Sequence, residues 1–429
     1  MKSAQPRADL LGYAEAAAVV AAHAGKIAGR RTTLPKKERV GLDQASGRVL
    51  AEPLVADRDQ PPFPRSTRDG YACRAADASM HMPLTIRGTT RAGDPPASPL
   101  PRASAWEIMT GAPVPEGADA VMMFEHVETT GGKRARKVRL IPSRTLKQGE
   151  NVVAQGAQGR AGDELLPAGA ILHSGQIALA ATCGYASVEV YPRPRVAILA
   201  TGDELVPVAA TPAPGQIRNS NAPMLTAMVA RAGGEPWVLP TASDDPKALD
   251  EALARAVEAD LLLISGGVSA GNFDLVEPAL ARLGARFHFT GVRMQPGKPA
   301  VFGELPRAKK ASRRSTALPF FGFPGNPVAS AVTFLLFAVP VLAAIAGNRE
   351  SYPHFALARL APPVERNAKS GLTRFLPAFC DFADNPQVAF VPWHGSGDLT
   401  ALARSNCFIV VPEDAKNLKP GSIVRILLP

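Results

Sequence analysis

Four short loops carry residues suited to holding an anion beside a cation. Ser265-Gly266-Gly267-Val268-Ser269-Ala270-Gly271 directly follows the apolar run Leu261 to Ile264 and precedes the helical segment Leu275 to Leu283. Glycines in that position let backbone N–H groups approach an anion at a helix N-terminus. Pro296-Gly297-Lys298-Pro299 puts a positive charge on a constrained turn, and Phe323-Pro324-Gly325-Asn326-Pro327 is a second rigid loop ahead of a helix. Thr201-Gly202-Asp203-Glu204-Leu205 follows the apolar strand Val196 to Ala200. Its carboxylates therefore belong at a strand's carboxyl end, where open α/β sheets bind ligands. Singly, each is as readily a plain turn, and the glycine-rich loop is neither a Walker A loop nor a dinucleotide fingerprint. Together they belong to one α/β region and mostly follow its strands. Convergence on one edge is expected, and it favours a phosphate-bearing ligand with a divalent metal.

Other chemistries lack their residues. The seven histidines, from His23 to His394, show no HExxH or close-paired ligand pattern, and structural or surface roles are expected for all seven. No GxSxG elbow or kinase motif set occurs, so nucleophilic serine or cysteine catalysis is unsupported. Cys73, Cys183, Cys380 and Cys407 are far apart, which reads as reduced thiols in a cytosolic protein. Asp69-Gly70, taken alone, is an ordinary turn.

The elements that must position these loops are legible in outline. A helix with apolar spacing is expected within Ala8 to Ile27. From Pro61 the chain shifts to short apolar runs, and Ala120 to Val127, Thr129-Thr130-Gly131-Gly132 and Lys137 to Ile141 predict a β-hairpin. From Pro194, strands alternate with helices at Met224 to Ala232 and Lys247 to Glu258, the latter opened by Asp245-Pro246, so a parallel sheet follows. Beyond Ser351 short runs return, predicting a small separate β domain. Val328 to Ala346 is long enough to span a membrane, but Asn326-Pro327 opens it as a helix start and Pro340 interrupts it, so a buried core helix is expected.

Composition sets the outer limits. With 429 residues, 46% hydrophobic and 20% charged, the chain is globular and large enough for several cores. Residues Met1 to Glu15 are charged and lack a signal peptide's apolar core, which agrees with a cytoplasmic location. The net charge of +10 is densest at Lys133 to Lys147 and Arg307 to Arg314. No nucleic-acid reader motif accompanies them, so nucleic acid is an unlikely partner.

Read in order, Asp69-Gly70-Tyr71-Ala72, Ile108 to Pro115, Thr201 to Leu205, Gly266-Gly267-Val268-Ser269, Pro296 to Pro299, Pro324 to Pro327, His394-Gly395-Ser396-Gly397 and Asn406-Cys407-Phe408 resemble the MoeA/gephyrin family of molybdopterin molybdenumtransferases. The resemblance covers nearly the whole chain. It implies a multidomain α/β plus β fold: a discontinuous N-terminal helical and linker domain (1–56 and 146–192), an inserted β-rich domain (57–145), a central αβα molybdopterin-binding domain (193–348) and a C-terminal β-barrel (349–429). It further implies a homodimer that takes adenylylated molybdopterin and molybdate, uses Mg2+ or another divalent cation, and releases AMP. Transfer of the product to molybdenum enzymes or other cofactor-biosynthesis partners would follow. By motif match, Asp69, Thr110, Glu204, Asp244 and Asp274 are the expected catalytic positions, with Glu204 and Asp274 on the metal. Gly266, Gly267, Ser269, Gly271, Lys298, Pro324, Gly325, Pro327 and Ser396 are the expected substrate-binding positions. Three departures stand out. Gln158 replaces an acidic group expected near the phosphates or their metal, Arg68 stands where a methionine is common, and Gly291 and Gln295 stand where some members carry lysines, with Arg293 close by. Gln158 leaves open a second reading, a paralogue that binds molybdopterin as carrier, regulator or scaffold. If the enzyme reading holds, Gln158→Asp is expected to lower the magnesium requirement.

Overall fold

The computed structural model describes residues 10–29, 37–132, 136–267, 275–307, 317–348, 352–362, 371–415 and 418–429. Its centre is a six-stranded sheet in the order Glu235–Val238, Arg195–Ala200, Leu261–Ser265, Ala317–Phe323, Val301–Pro306, Arg286–Phe289. The first four strands pair in parallel, and the last two pairings are antiparallel, so that only Val301–Pro306 runs against the rest. The continuous apolar runs follow from burial on both faces. Alternate residues divide between two cores: Val196, Ile198, Leu261, Leu263, Phe321 and Phe323 enter one, Ala197, Leu199, Leu262, Ile264, Leu318 and Phe320 the other.

Local signals set the helix starts. The Asp245 carboxylate accepts the Lys247 and Ala248 N–H groups ahead of Pro246–Ala256, which satisfies donors that a helix start otherwise leaves unpaired. The apolar stretch is a helix from Pro327 to Ala346 whose side chains are mostly buried inside the protein. Pro340 does not break it, contrary to expectation. A π-helical segment, Phe334–Ala338, precedes the proline and absorbs the missing N–H and the ring's crowding of the preceding turn. The N-terminal helix runs from Tyr13 to Gly29 and packs on Val339–Ala346, with Ala16 and Val20 in the shared core.

One expectation about the β regions changes. The hairpin arms are Val127–Thr130 and Lys137–Leu140, whereas Ala120–Met123 pairs with Gly70–Cys73. A single 3-10 turn at Phe124–His126 redirects the chain between the two neighbours. These strands, with Ser104–Ile108 and Leu84–Thr90, form the second six-stranded sheet. The C-terminal strands Phe355–Leu360, Thr373–Cys380, Gln387–Phe390, Cys407–Val411 and Ile423–Leu427 close into a five-stranded barrel through the pairing of Thr373–Cys380 with Cys407–Val411. The barrel has a core of its own, as expected, and also joins the central domain. Val292–Gln295 pairs with Thr373–Cys380 on one side and with Leu11–Gly12 on the other, and Phe375, Phe408 and Val410 share a core with the central sheet. Apolar residues left on that face of the barrel are covered by the neighbouring domain rather than by water.

Between the N-terminal helix and the central sheet, residues 38–66 pair antiparallel with residues 152–190 in three short ladders. All four cysteines are buried and unbridged. Burial pushes the Cys407 thiol up to about 12.

Candidate active site

The carboxyl ends of the four parallel strands lie side by side, and three of them continue into loops singled out above. Arg195–Ala200 leads into Thr201-Gly202-Asp203-Glu204, Leu261–Ser265 into Gly266-Gly267, and Ala317–Phe323 into Pro324-Gly325-Asn326-Pro327. The remaining parallel strand, Glu235–Val238, leads towards Asp244. Backbone hydrogen bonds tie the loops: Gly266 N–H to Phe323 O at 3.1 Å, Thr201 N–H to Ser265 O at 3.0 Å, and Gly202 N–H to Ala242 O at 3.3 Å. The Asp203 carboxylate accepts the Asp244 N–H at 3.0 Å, which holds the two acidic loops together. Glu204, Asp203 and Asp244 are exposed there. Lys298 reaches the same edge by another route. It lies three residues before Val301, which is paired with Gly322, so its turn sits beside Phe323-Pro324 and its side chain is exposed.

The glycines are required by space. Gly266 has φ +98, and a Cβ there would lie 2.5 Å from Thr201 O; Gly267 has φ +62, and a Cβ would lie 2.7 Å from Val276 Cγ2 and 2.9 Å from Thr201 Oγ1. Neither conformation nor clearance admits a side chain.

Three side chains at this edge were not named as site residues from the sequence, although Thr201 and Ser265 stand at the heads of loops quoted above. Asn221 is buried, and its Nδ2 donates to Ser265 Oγ at 2.7 Å and to Gly325 O at 2.6 Å. A carbonyl oxygen only accepts, so the amide orientation is fixed and Asn221 Oδ1 points elsewhere. Among the described residues Asn221 Oδ1 has no partner, and neither does the buried Thr201 Oγ1. The third is Ser265 itself, 2% exposed at the strand end. Asn219 Oδ1 accepts the Ala222 N–H at the start of helix Asn221–Arg231, so capping there does not use the Asn221 side chain.

The other expected positions fall as follows. Pro327 opens the long helix, and Ser396 O accepts the Val328 N–H at 3.0 Å, so the barrel's His394 to Gly397 loop rests on this edge. Asp398 fixes that loop: the Ala401 and His394 N–H groups hold its carboxyl below the usual range. Val268, Ser269, Ala270, Gly271 and Asp274 lie outside the described residues, as do Lys133 to Ala135 and the residues from 308 to Arg314. Asp69 and Thr110 are not brought to the edge by this chain. They belong to the second six-stranded sheet, where Asp69 Oδ1 accepts the Thr110 N–H at 2.6 Å and the Thr110 hydroxyl at 2.8 Å. Those two bonds hold the Asp69 carboxyl below its ordinary range. Gln158 is likewise elsewhere, on an exposed turn around Asp59, whose carboxylate accepts Gln155 Nε2 and the Ala161 N–H.

Comparison with known proteins agrees with this arrangement. Residues 11–184 match the MoeA N-terminal region (domain I and II), 197–344 a probable molybdopterin binding domain, and 360–428 the MoeA C-terminal region (domain IV). The molybdopterin molybdenumtransferase of a Nostoc species is 35% identical over 402 residues, 91% of this chain and 88% of that one. The chain belongs to the MoeA family. That of Bacillus subtilis is also 35% identical, over 91% of this chain and 89% of that one. The crystal structure of the Pyrococcus horikoshii molybdopterin biosynthesis MoeA protein superposes with a TM-score of 0.74 at 27% identity, covering 98% of this chain and 100% of that one. In this chain the residues matched to the molybdopterin binding domain include the strand ends and the unpartnered Thr201 and Asn221 oxygens.

Proposed function

We propose that this MoeA-family transferase inserts molybdenum into molybdopterin, taking adenylylated molybdopterin and molybdate and releasing AMP with a divalent cation, at the carboxyl edge of the αβα sheet. The observation that carries the reading is the pair of buried, unpartnered oxygens, Thr201 Oγ1 and Asn221 Oδ1, between a glycine-rich loop and exposed carboxylates. An unsatisfied buried polar atom costs about 1–3 kcal/mol, and a ligand's hydrogen bonds would offset that cost.

The residues present fit a hard cation. Glu204, and Asp274 by motif match, offer carboxylates, and Asn221 Oδ1 and Thr201 Oγ1 are neutral oxygens of the kind Mg2+ accepts, directly or through its waters. Such an ion would neutralise charge on the phosphates. Everything else is the chain's own contribution. The Gly266 and Gly267 backbone leaves room for a phosphate, Lys298 supplies a point charge, and Asn221 locks the end of strand Leu261–Ser265 to the Pro324–Pro327 loop.

Asp69 and Thr110 are proposed to act at the same site as part of a partner chain in a homodimer, since their own chain holds them in a different sheet. The carrier reading gains no support from Gln158, which no described hydrogen bond joins to the edge. Purified protein given adenylylated molybdopterin, molybdate and Mg2+ should release AMP. No metal-dependent release from folded protein would count against the proposal.

A further inference from the structure

Towards the opposite end of the strand order from the strand that leads to Thr201, three side chains from three elements meet. His23 lies on the Tyr13–Gly29 helix and is buried, His288 on the edge strand Arg286–Phe289, and Glu304 on its neighbour Val301–Pro306. The Glu304 carboxylate spans both imidazoles, with Oε1 3.8 Å from His23 Nε2 and Oε2 3.3 Å from His288 Nε2. The ligand-capable atoms of all three lie within 4.8 Å of one another. Among the described residues this is the one grouping of three histidine, cysteine or carboxylate side chains with that closeness.

The strands are built to bring it about. Phe287 pairs with Gly303 but Phe289 with Phe302, so His288 is the extra residue of a β-bulge, a device that re-aims one side chain. The Phe302 ring lies edge-on to His23 at 5.1 Å and tilted to His288 at 4.9 Å, which limits how far either imidazole can turn. Side-chain exposure of 9%, 16% and 23% for His23, His288 and Glu304 leaves Glu304 the side open to water.

We infer that His23, His288 and Glu304 form a binding site for a transition-metal dication of the Zn2+ class, distinct from the substrate edge, which fastens the N-terminal helix to the sheet. Two imidazoles and one carboxylate are the ligand set of three-ligand zinc sites that keep a fourth position for water. Nitrogen donors favour Zn2+, Ni2+ or Cu2+ and disfavour Mg2+, so this site does not compete for the cation proposed at Glu204. Donors about 2.0–2.1 Å from one tetrahedral ion lie roughly 3.3 Å from one another, so the carboxylate already stands at or near that spacing from each imidazole and a small inward movement of the widest pair would suit all three to one ion. Lys26 and Arg286 act electrostatically on His288 and oppose a second positive charge, so modest rather than extreme affinity is expected.

Untagged full-length protein, stripped with chelator, should take up one equivalent of Zn2+ in competition with a chromophoric chelator, and Zn2+ should raise its melting temperature. His288→Asn and Glu304→Gln should each weaken uptake at least about tenfold, the loss of one ligand's worth of binding, and abolish the thermal shift. Glu204→Ala should retain both. Zn2+ uptake unchanged in the His288 and Glu304 variants, or lost in Glu204→Ala, overturns the inference, as does no uptake by the wild type. X-ray absorption on the zinc-loaded wild type needs no variant to fold. It should show imidazole scattering with a nitrogen and oxygen shell at about 2.0–2.1 Å, and a sulfur shell near 2.3 Å would instead place the metal on a cysteine.

Discussion

Two regions of the molecule present a carboxylate beside a hydroxyl, and they differ in what is left unsatisfied. At the Asp69–Thr110 pair both of threonine's donors, backbone and side chain, are spent on one carboxylate oxygen. At the edge of the αβα sheet, Thr201 Oγ1 and Asn221 Oδ1 are buried without partners, and the nearby carboxylates are exposed. The first arrangement is satisfied within the chain itself. The second is incomplete until something polar enters. Unspent hydrogen-bonding capacity, rather than the presence of acidic residues, is what singles out the αβα edge as the candidate ligand site.

The largest effects should come from the acidic groups of the edge. Glu204→Ala and Asp274→Ala are each expected to reduce metal-dependent AMP release by roughly 10²–10³-fold, the scale of losing one charge-stabilising group. For Glu204→Ala the melting temperature should hardly change, because the residue is exposed and its side chain is not part of a core. Lost folding with normal specific activity in the remaining native fraction would reverse the assignment.

Mixing sharpens the comparison between the two regions. If a partner's Asp69 completes each edge, folded Glu204→Ala and Asp69→Asn dimers, both nearly inactive, should on subunit exchange regain about a quarter of wild-type activity, since half the dimers are mixed and carry one intact site of two. Light scattering should give a dimer mass for each variant. No recovery after demonstrated exchange would place both residues in the same chain's site or remove Asp69 from it.

A smaller effect should appear at the Asp69–Thr110 pair itself. Its hydrogen bonds depress the folded carboxyl pKa, so their contribution to stability is present above the ordinary carboxylate range and is lost as pH falls through the lowered folded value. In Thr110→Val the backbone bond remains and the hydroxyl bond goes. Carboxyl titration by NMR should then find Asp69 shifted up towards its ordinary range, and an unchanged titration would show that the hydroxyl contributes nothing.

Much of the central domain was legible because its signals are local. Asp245-Pro246 is a cap followed by a first helical residue, the run Leu261 to Ile264 reads as a strand buried on both faces, and Gly266-Gly267 marks a backbone that no side chain could follow. What was not legible depends on contacts distant in sequence. Asn221 joins Ser265 and Gly325 across 44 and 104 residues, and nothing near it in sequence announces either partner. The joining of Val292–Gln295 to the barrel, the re-pairing of Ala120–Met123, and the meeting of His23 with His288 and Glu304 are of the same kind. Histidines 265 positions apart carry no spacing pattern, which is why structural roles were the natural expectation for both.

The central claim, that the unsatisfied edge holds the adenylylated pterin, is tested most directly by equilibrium binding of adenylylated molybdopterin with Mg2+ to wild-type protein and Asn221→Ala. The substitution removes the unpartnered Oδ1 and the tie between the Ser265 and Gly325 loops while leaving the exposed carboxylates in place. Affinity should fall at least about tenfold, the equivalent of one hydrogen bond left unmade in a buried site, with the protein still folded. Binding unchanged within about twofold, the range expected for a substitution that touches no part of the site, would contradict it.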